Sequence, residues 1–251
     1  MDDDMEHDLT KLLREWPYDE ENRTRTIIAA DGREILQVRL PLGIEQYELE
    51  GRPDGVKPEG HESVLDAVEG ELAEHVEREG SAAGFEIGHE TATRLHGEGI
   101  LYYYRYLLLF QNNDFERVAR DTEHNLRLCR ILDDHCSIAE DRNAVLQFQP
   151  YIIRMNAVAR AMIAVQQKSK NVARDVLTGA IEQIEGLEEI DTPAFRFERV
   201  RSVNYLKSTL EQIDDQPINT YERLEKQLRQ AVEEENYERA AELRDQLRNL
   251  R

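Results

Sequence analysis

The sequence is poor in cysteine and tryptophan, and it has no long apolar run. Its 251 residues include one tryptophan and two cysteines, Cys129 and Cys136, which are too few for a disulfide framework and are interpreted as buried apolar residues. No apolar run approaches the roughly 20 residues of a transmembrane helix. The acidic N-terminus, MDDDMEHD, lacks the basic start of a signal peptide. We therefore expect a cytoplasmic location.

Basic residues are also scarce. The chain carries 52 acidic and 32 basic residues, which gives a formal net charge of -20 at pH 7. A surface that binds nucleic acid or an anionic membrane needs cationic side chains facing the phosphate groups. The composition therefore disfavours direct binding to either of them.

Motifs that carry common enzymatic chemistry are missing. The sequence contains no phosphate-binding GxxxxGK[ST] loop, no GxSxG nucleophile elbow, no glycine-rich dinucleotide turn and no paired-cysteine metal framework. His89 and His96 lie seven residues apart, whereas a zincin helix needs two histidines at i and i+4. We therefore predict no catalytic residue, no cofactor and no metal site. An enzyme of unknown class, with a pocket between sheet and helices, remains an alternative.

The first 20 residues are predicted to form an acidic arm with a short amphipathic helix. Four apolar residues share one face of that helix, which ends before Pro17: Leu9, Leu12, Leu13 and Trp16.

Residues 21–60 are predicted to form a small antiparallel sheet. Three runs of strand-forming residues lie near 26–28, 35–40 and 44–50, and Asp31-Gly32 between the first two is a strong hairpin signal. The segment GRPDGVKPEG, at 51–60, follows as a fixed loop. Its residues Arg52 and Asp54 either form a recognition site or make an internal ion pair in a tight turn.

Residues 61–213 are predicted to form a helical body. Helices are expected near 61–78, 90–95, 100–111, 115–133, 143–167, 171–184 and 191–212. The turn Asn112-Asn113-Asp114 with Val118 and Leu126 resembles the tetratricopeptide (TPR) motif, as do the small residues Ala161, Ala173 and Ala180. Tyr106 departs from that motif, which has a small residue there. The predicted fold is thus α+β, mainly α, with a TPR-like body.

Tyrosines are concentrated in the helix near 100–111. Four of them within five positions, Tyr102, Tyr103, Tyr104 and Tyr106, cannot all face one core, so one or two are expected to be exposed or to line a groove. Tyr102, Tyr103 and Tyr106 are the candidate groove residues. The alternative is that they pack against neighbouring elements on both sides.

After a linker at 214–220, residues 221–251 are predicted to form a helical hairpin. Asn219 and Asn236 are the predicted helix caps. The predicted stripe, which ends with Leu250, supplies the candidate interaction residues: Leu224, Leu228, Ala231, Val232, Tyr237, Ala240, Ala241, Arg244 and Leu247. This segment has eight acidic and seven basic residues, so the acidity of the chain lies almost wholly before it.

The hairpin resembles the UVR motif of the repair subunits UvrB and UvrC. The match lies in the apolar residues of the first helix and in the run Asn236-Tyr237-Glu238-Arg239-Ala240-Ala241-Glu242-Leu243-Arg244-Asp245. Similar hairpins occur in McsA and ClpC, where they are interaction elements. The stretch LGIEQYELEGRPDG also resembles one in a group of bacterial proteins with a C-terminal UVR hairpin.

The resemblance implies protein–protein association through the hairpin. The expected function is that of a non-enzymatic adaptor or regulatory protein, whose partner is another UVR protein or a second copy. One alternative is a self-associating accessory factor of nucleotide excision repair or of an McsA/ClpC-like stress pathway.

Overall fold

The computed structural model describes residues 8–215, 224, 227–228, 231–232 and 237–249. The described chain is mainly helical and contains one three-stranded antiparallel sheet near its N-terminal end, which confirms the predicted α+β, mainly α class. The chain divides into two compact units, Met1–Lys207 and Ser208–Arg251.

The sheet consists of β1 (Thr24–Ile28), β2 (Glu34–Leu40) and β3 (Gly43–Glu48), which pair in that order. The predicted Asp-Gly turn joins β1 to β2. Gly32 there has φ of +86°, in the left-handed region that glycine adopts without steric cost. Leu36 in the central strand lies opposite both Thr26 and Tyr47, so the register places one side chain of each strand in a row.

The core of the first unit lies between the sheet and the helices that follow. The central strand is the most buried of the three, since it is flanked on both edges. Apolar residues from β2, the segment after β3 and three helices pack in one buried cluster: Leu36, Leu49, Tyr106, Leu109, Phe115, Val118, Met155 and Ala159.

The predicted N-terminal helix is α1 (Thr10–Glu15), and Trp16 after it contacts the sheet. The guanidinium of Arg25 lies 4.0 Å from the centre of the Trp16 ring, and Nε of Arg39 donates a hydrogen bond of 2.7 Å to the Trp16 carbonyl. Trp16 therefore tethers the arm to the sheet.

The remaining helices of the first unit follow in sequence, and the last of them runs into the second unit. Their bounds are α2 (Val64–Glu79), α3 (His89–Gln111), α4 (Phe115–His135), α5 (Ala139–Leu146), α6 (Gln149–Gln166), α7 (Lys170–Glu185) and α8 (Pro193–Asp215). α4 packs against α3 and α6, and α6 packs against α7. The most extensive of these contacts, between α4 and α6, passes over α5, and a TPR-like arrangement stays a prediction.

Two predicted helix boundaries are wrong. The two helices expected at 90–95 and 100–111 form one helix, α3, which passes through Gly97 and Gly99. Burial of the apolar side chains of Leu95, Tyr102 and Tyr106 stabilises that helix despite its glycines, whose intrinsic cost is only about 1 kcal/mol each.

The single helix expected at 143–167 is instead two helices, α5 and α6. Pro150 lies in the first turn of α6, where its missing N–H costs no hydrogen bond. In a continuous helix the ring of Pro150 would clash with the carbonyl of Leu146, so the chain begins a new helix at Gln149. α8 also extends through Asp214 and Asp215 into the predicted linker, whose other residues lie outside the described part.

A buried ion pair joins the sheet to the helices. The guanidinium of Arg105 in α3 donates two hydrogen bonds, of 2.7 and 2.8 Å, to the carboxylate of Asp121 in α4. Its Nη1 donates to the carbonyl oxygens of Glu48 and Gly51, at 2.7 and 2.8 Å. Both charged side chains are fully buried. Arg105 therefore fixes the end of β3 and the following loop against α3 and α4.

We predict that Arg105→Met lowers the free energy of unfolding by about 3–5 kcal/mol, because it leaves a buried carboxylate without its main partner. Urea unfolding followed by circular dichroism measures this loss. The matched control is Arg130→Met, which removes an exposed pair with Glu123 in α4 and is expected to cost about 1 kcal/mol or less. Equal losses in the two variants would contradict the prediction.

Candidate functional site

The second unit contains a small apolar cluster contributed by both predicted hairpin helices. Residues 224, 227–228 and 231–232 are helical, and the second helix, α9, spans Tyr237–Asn249. Leu228 is half-buried and packs against the five buried members of the cluster, which are Leu224, Ala231, Ala240, Leu243 and Leu247. Two of the five buried members are alanines, so the cluster buries little apolar surface.

The predicted interaction residues separate into buried and exposed ones. Leu224, Ala231, Ala240 and Leu247 face the cluster, whereas Val232 is 51% exposed and Arg244 is also exposed. Their role in binding a partner stays a prediction.

Some of the predictions concern positions that are not fully described. Tyr237 and Ala241 are helical in α9, but their side chains lie outside the described part of the structure. The predicted caps Asn219 and Asn236 lie outside the described residues altogether, as does Leu250.

Leu243 is a cluster residue that the predicted stripe did not include. It is 1% exposed, whereas the predicted stripe had Arg244 on that face. The spacing contained the signal, since Leu243 lies three residues after Ala240 and four before Leu247. An apolar side chain at that spacing belongs on the buried face.

We predict that Leu243→Ala destabilises the hairpin by about 2 kcal/mol or more, because it leaves a cavity in a cluster of only a few side chains. Amide hydrogen exchange in α9 should accelerate. Exchange in α3 and α4 is expected to stay unchanged. The control Gln246→Ala, at an exposed position of α9, should leave exchange unchanged in α9 and in α3 and α4. Acceleration in α4 equal to that in α9 would contradict the prediction.

The GRPDG loop forms a tight turn with an internal ion pair, as the second interpretation of its sequence expected. Nε of Arg52 lies 3.2 Å from Oδ1 of Asp54, and the same oxygen of Asp54 accepts a hydrogen bond of 3.1 Å from the Val56 amide. Gly51 and Gly55 have φ of +62° and +71°, so the turn uses the left-handed region that glycine tolerates. A recognition role for Arg52 and Asp54 stays a prediction.

Glu98, which sequence reasoning did not single out, joins this loop to α2 and α4. Its carboxylate accepts hydrogen bonds from the Val64 and Leu65 amides, at 2.7 and 3.0 Å, and so caps the start of α2. It also lies 3.2 Å from Nε2 of His124 and 3.7 Å from Nε of Arg52. Burial alone would raise the pKa of Glu98, but the hydrogen bonds with His124 and with the Val64 and Leu65 amides outweigh it, and the pKa lies below the ordinary value.

The lowered pKa of Glu98 predicts a contribution to acid sensitivity. Because the folded-state pKa is below the unfolded one, the stabilisation is present above the unfolded value of about 4.3 and is lost as pH falls through the folded value. Glu98→Gln should lower stability at pH 7 by about 1–3 kcal/mol and flatten the fall in stability below about pH 4. Thermal melting between pH 3 and 7 measures this, with Glu90→Gln, exposed on the same helix, as control. If the melting temperature of Glu98→Gln falls below about pH 4 as steeply as that of the original protein, the prediction is contradicted.

The tyrosines of α3 face in different directions, as predicted. Tyr102 and Tyr106 are buried, and Tyr102 stacks on the His124 ring at 3.7 Å between ring centres. Tyr103 and Tyr104 are exposed. Tyr103 and Tyr106, together with Tyr104, line a cavity of about 430 Å³, but Tyr102 does not. The structure therefore brings together two of the three predicted groove residues.

The residues that line this cavity come from four parts of the helical body. They lie on α3, on α4, between the end of α5 and the start of α6, and on α8. They are His96, Gly99, Ile100, Tyr103, Tyr104, Tyr106, Asn125, Leu128, Val145, Phe148, Tyr151, Ile152, Glu198 and Arg201. All of them lie within the first compact unit.

Within the described residues, no helix is long and apolar enough to cross a membrane. The same part of the chain contains no group of three or more histidine, cysteine, aspartate or glutamate side chains arranged to hold a metal ion.

The described chain is mainly helical, and comparison with known proteins identifies the C-terminal segment that contains the apolar cluster. Residues 221–251 match the family model described as UVR, the UvrB/uvrC motif. No match was found among curated proteins or among solved structures. The resemblance noted in the sequence is thereby confirmed for the hairpin, which is a short part of the chain.

Proposed function

We propose that this protein is a non-enzymatic adaptor whose C-terminal hairpin binds a hairpin of the same kind on another protein. The observation that carries the proposal is the match of residues 221–251 to the UVR motif. Motifs of this class mediate association between proteins, and the hairpin here lies within the second compact unit, Ser208–Arg251. No enzymatic activity is part of the proposal.

The size of the apolar cluster supports a need for a partner. Ordering a residue costs about 1.5 kcal/mol, and small folding units rarely bury enough apolar surface to offset that cost. The described cluster consists of three leucines and two alanines, with one further leucine at its edge. A second hairpin packed on this unit would bury additional apolar surface, to which the exposed side chain of Val232 can contribute.

The charge distribution is compatible with such an association. The hairpin carries eight acidic and seven basic residues within a chain of net charge -20. A nearly neutral element can approach another protein without the repulsion that an acidic surface would create. The same argument admits a second copy of this chain as partner. Another UVR protein and a second copy are therefore the two partners to compare.

We predict that Val232→Asp weakens association of the full-length chain about tenfold or more while the hairpin stays helical, because it places a charge on an exposed apolar position. Substitution of Leu228 would not test association alone, because Leu228 packs against the hairpin's own cluster. The control is Gln227→Asp, which adds the same charge at another exposed helical position of the first hairpin helix.

The measurement has two parts. Sedimentation equilibrium tests association with a second copy, and binding to the immobilised UVR hairpins of UvrB and UvrC from the same cell tests another protein. A loss of about tenfold or more in affinity is expected for Val232→Asp and not for Gln227→Asp. If the unmodified protein shows neither self-association nor binding to a UVR hairpin, the proposal is overturned.

A further inference from the structure

The cavity in the helical body has the size and lining of a small-molecule site. Its volume of about 430 Å³ falls within the range of typical ligand pockets, roughly 300–1,000 Å³. Five tyrosine and phenylalanine rings contribute to its wall, those of Tyr103, Tyr104, Tyr106, Phe148 and Tyr151. Ring faces and edges of this kind pack against a flat apolar group. Gly99 leaves room in α3 by having no side chain.

Two residues of the wall each have a buried acceptor oxygen without a donor. Asn125 is 5% exposed, and its amide nitrogen donates a hydrogen bond of 2.9 Å to the Gly99 carbonyl, but its Oδ1 has no hydrogen-bond partner. Oε2 of Glu198 is likewise buried and has none. Buried polar atoms in folded proteins are nearly always paired. Two unpaired acceptors in one cavity wall therefore favour a ligand that carries N–H or O–H donors.

The arginines near Glu198 do not supply those donors. Nη1 of Arg201 lies 3.5 Å from Oε1 of Glu198, and Nη2 of Arg154 lies 3.9 Å from Oε2, beyond hydrogen-bonding distance. The guanidinium of Arg154 instead lies over the Tyr151 ring, 4.7 Å from its centre. The side chain of Arg201 is more than half exposed. The Glu198 carboxylate thus forms ion pairs with both arginines, while its Oε2 accepts no hydrogen bond.

We propose that this cavity binds a small organic cation in which an amine, amidine or guanidine group is carried on a flat apolar body. The N–H groups of the cation donate to Glu198 and Asn125 after small rotations of those side chains, and its body packs between the tyrosines. Aromatic rings attract cations over their faces, and the net charge of -20 draws cations toward the protein. The proposal is independent of the C-terminal hairpin.

Three compounds of nearly equal shape test the charge preference in the full-length protein. Benzamidine is a cation, benzamide is neutral and benzoate is an anion, and all three carry the same ring. Isothermal titration calorimetry is expected to show that benzamidine binds about tenfold or more tightly than either of the others. Equal binding of the three, preference for benzoate, or no binding of benzamidine at about 10 mM overturns the proposal.

Two variants locate the binding to this cavity. Glu198→Gln keeps the side-chain shape and removes the charge, so it should weaken benzamidine binding about tenfold or more. The matched control Glu123→Gln, outside the cavity wall, should leave binding unchanged. Unchanged binding in Glu198→Gln overturns the proposal.

Gly99→Ala provides a variant that should fold at least as well as the original. A Cβ at this position would lie 3.6 Å from Leu128 Cδ1 and 3.8 Å from Asn125 Oδ1, which are ordinary contacts. Alanine also favours the helix over glycine, so the melting temperature should not fall. Because the added methyl group occupies space beside Asn125, benzamidine binding should weaken. Full binding with an unchanged fold would place the ligand elsewhere and overturn the proposal.

Discussion

Arg105 is the side chain on which the arrangement of the helical body depends most. It is fully buried, it pairs with the equally buried Asp121, and it also donates to the carbonyl oxygens of Glu48 and Gly51. A buried charge pair is tolerated only when its hydrogen bonds are complete, so these four groups must stay in fixed positions relative to one another. Arg105 thereby holds the end of β3 and the GRPDG loop in a fixed position against α3 and α4. Glu98 fixes the start of α2 against the same loop.

Elements whose signals are local could be predicted from the sequence. The Asp-Gly turn predicted the first hairpin of the sheet, and apolar spacing indicated most helices. The hairpin cluster was predicted except for Leu243. Two predictions were wrong: α3 continues through Gly97 and Gly99, and the segment 143–167 divides into two helices before Pro150. In α3, burial of one helix face outweighs the low helix propensity of glycine. At Pro150, the geometry of proline outweighs the helical spacing of apolar residues.

The buried network and the cavity could not be predicted from the sequence. Glu98, His124, Arg105 and Asp121 are brought together by packing of α3 and α4, and in a chain with 52 acidic residues no spacing distinguishes a buried carboxylate from a solvated one. Glu198 reaches the cavity from α8, about a hundred residues after the tyrosines of α3. The exposure of some tyrosines followed from sequence, because four within five positions cannot share one face.

Association through the hairpin and ligand binding in the helical body are the two roles that we propose for this chain. Association through the hairpin can be measured by sedimentation velocity of the full-length protein and of a chain ending at Gln216, each alone and mixed with an isolated UVR hairpin from UvrB or UvrC. We predict a complex or a dimer for the full-length protein and a monomer in both conditions for the shortened chain. Identical sedimentation behaviour of the two chains, whether both associate or neither does, would contradict the account.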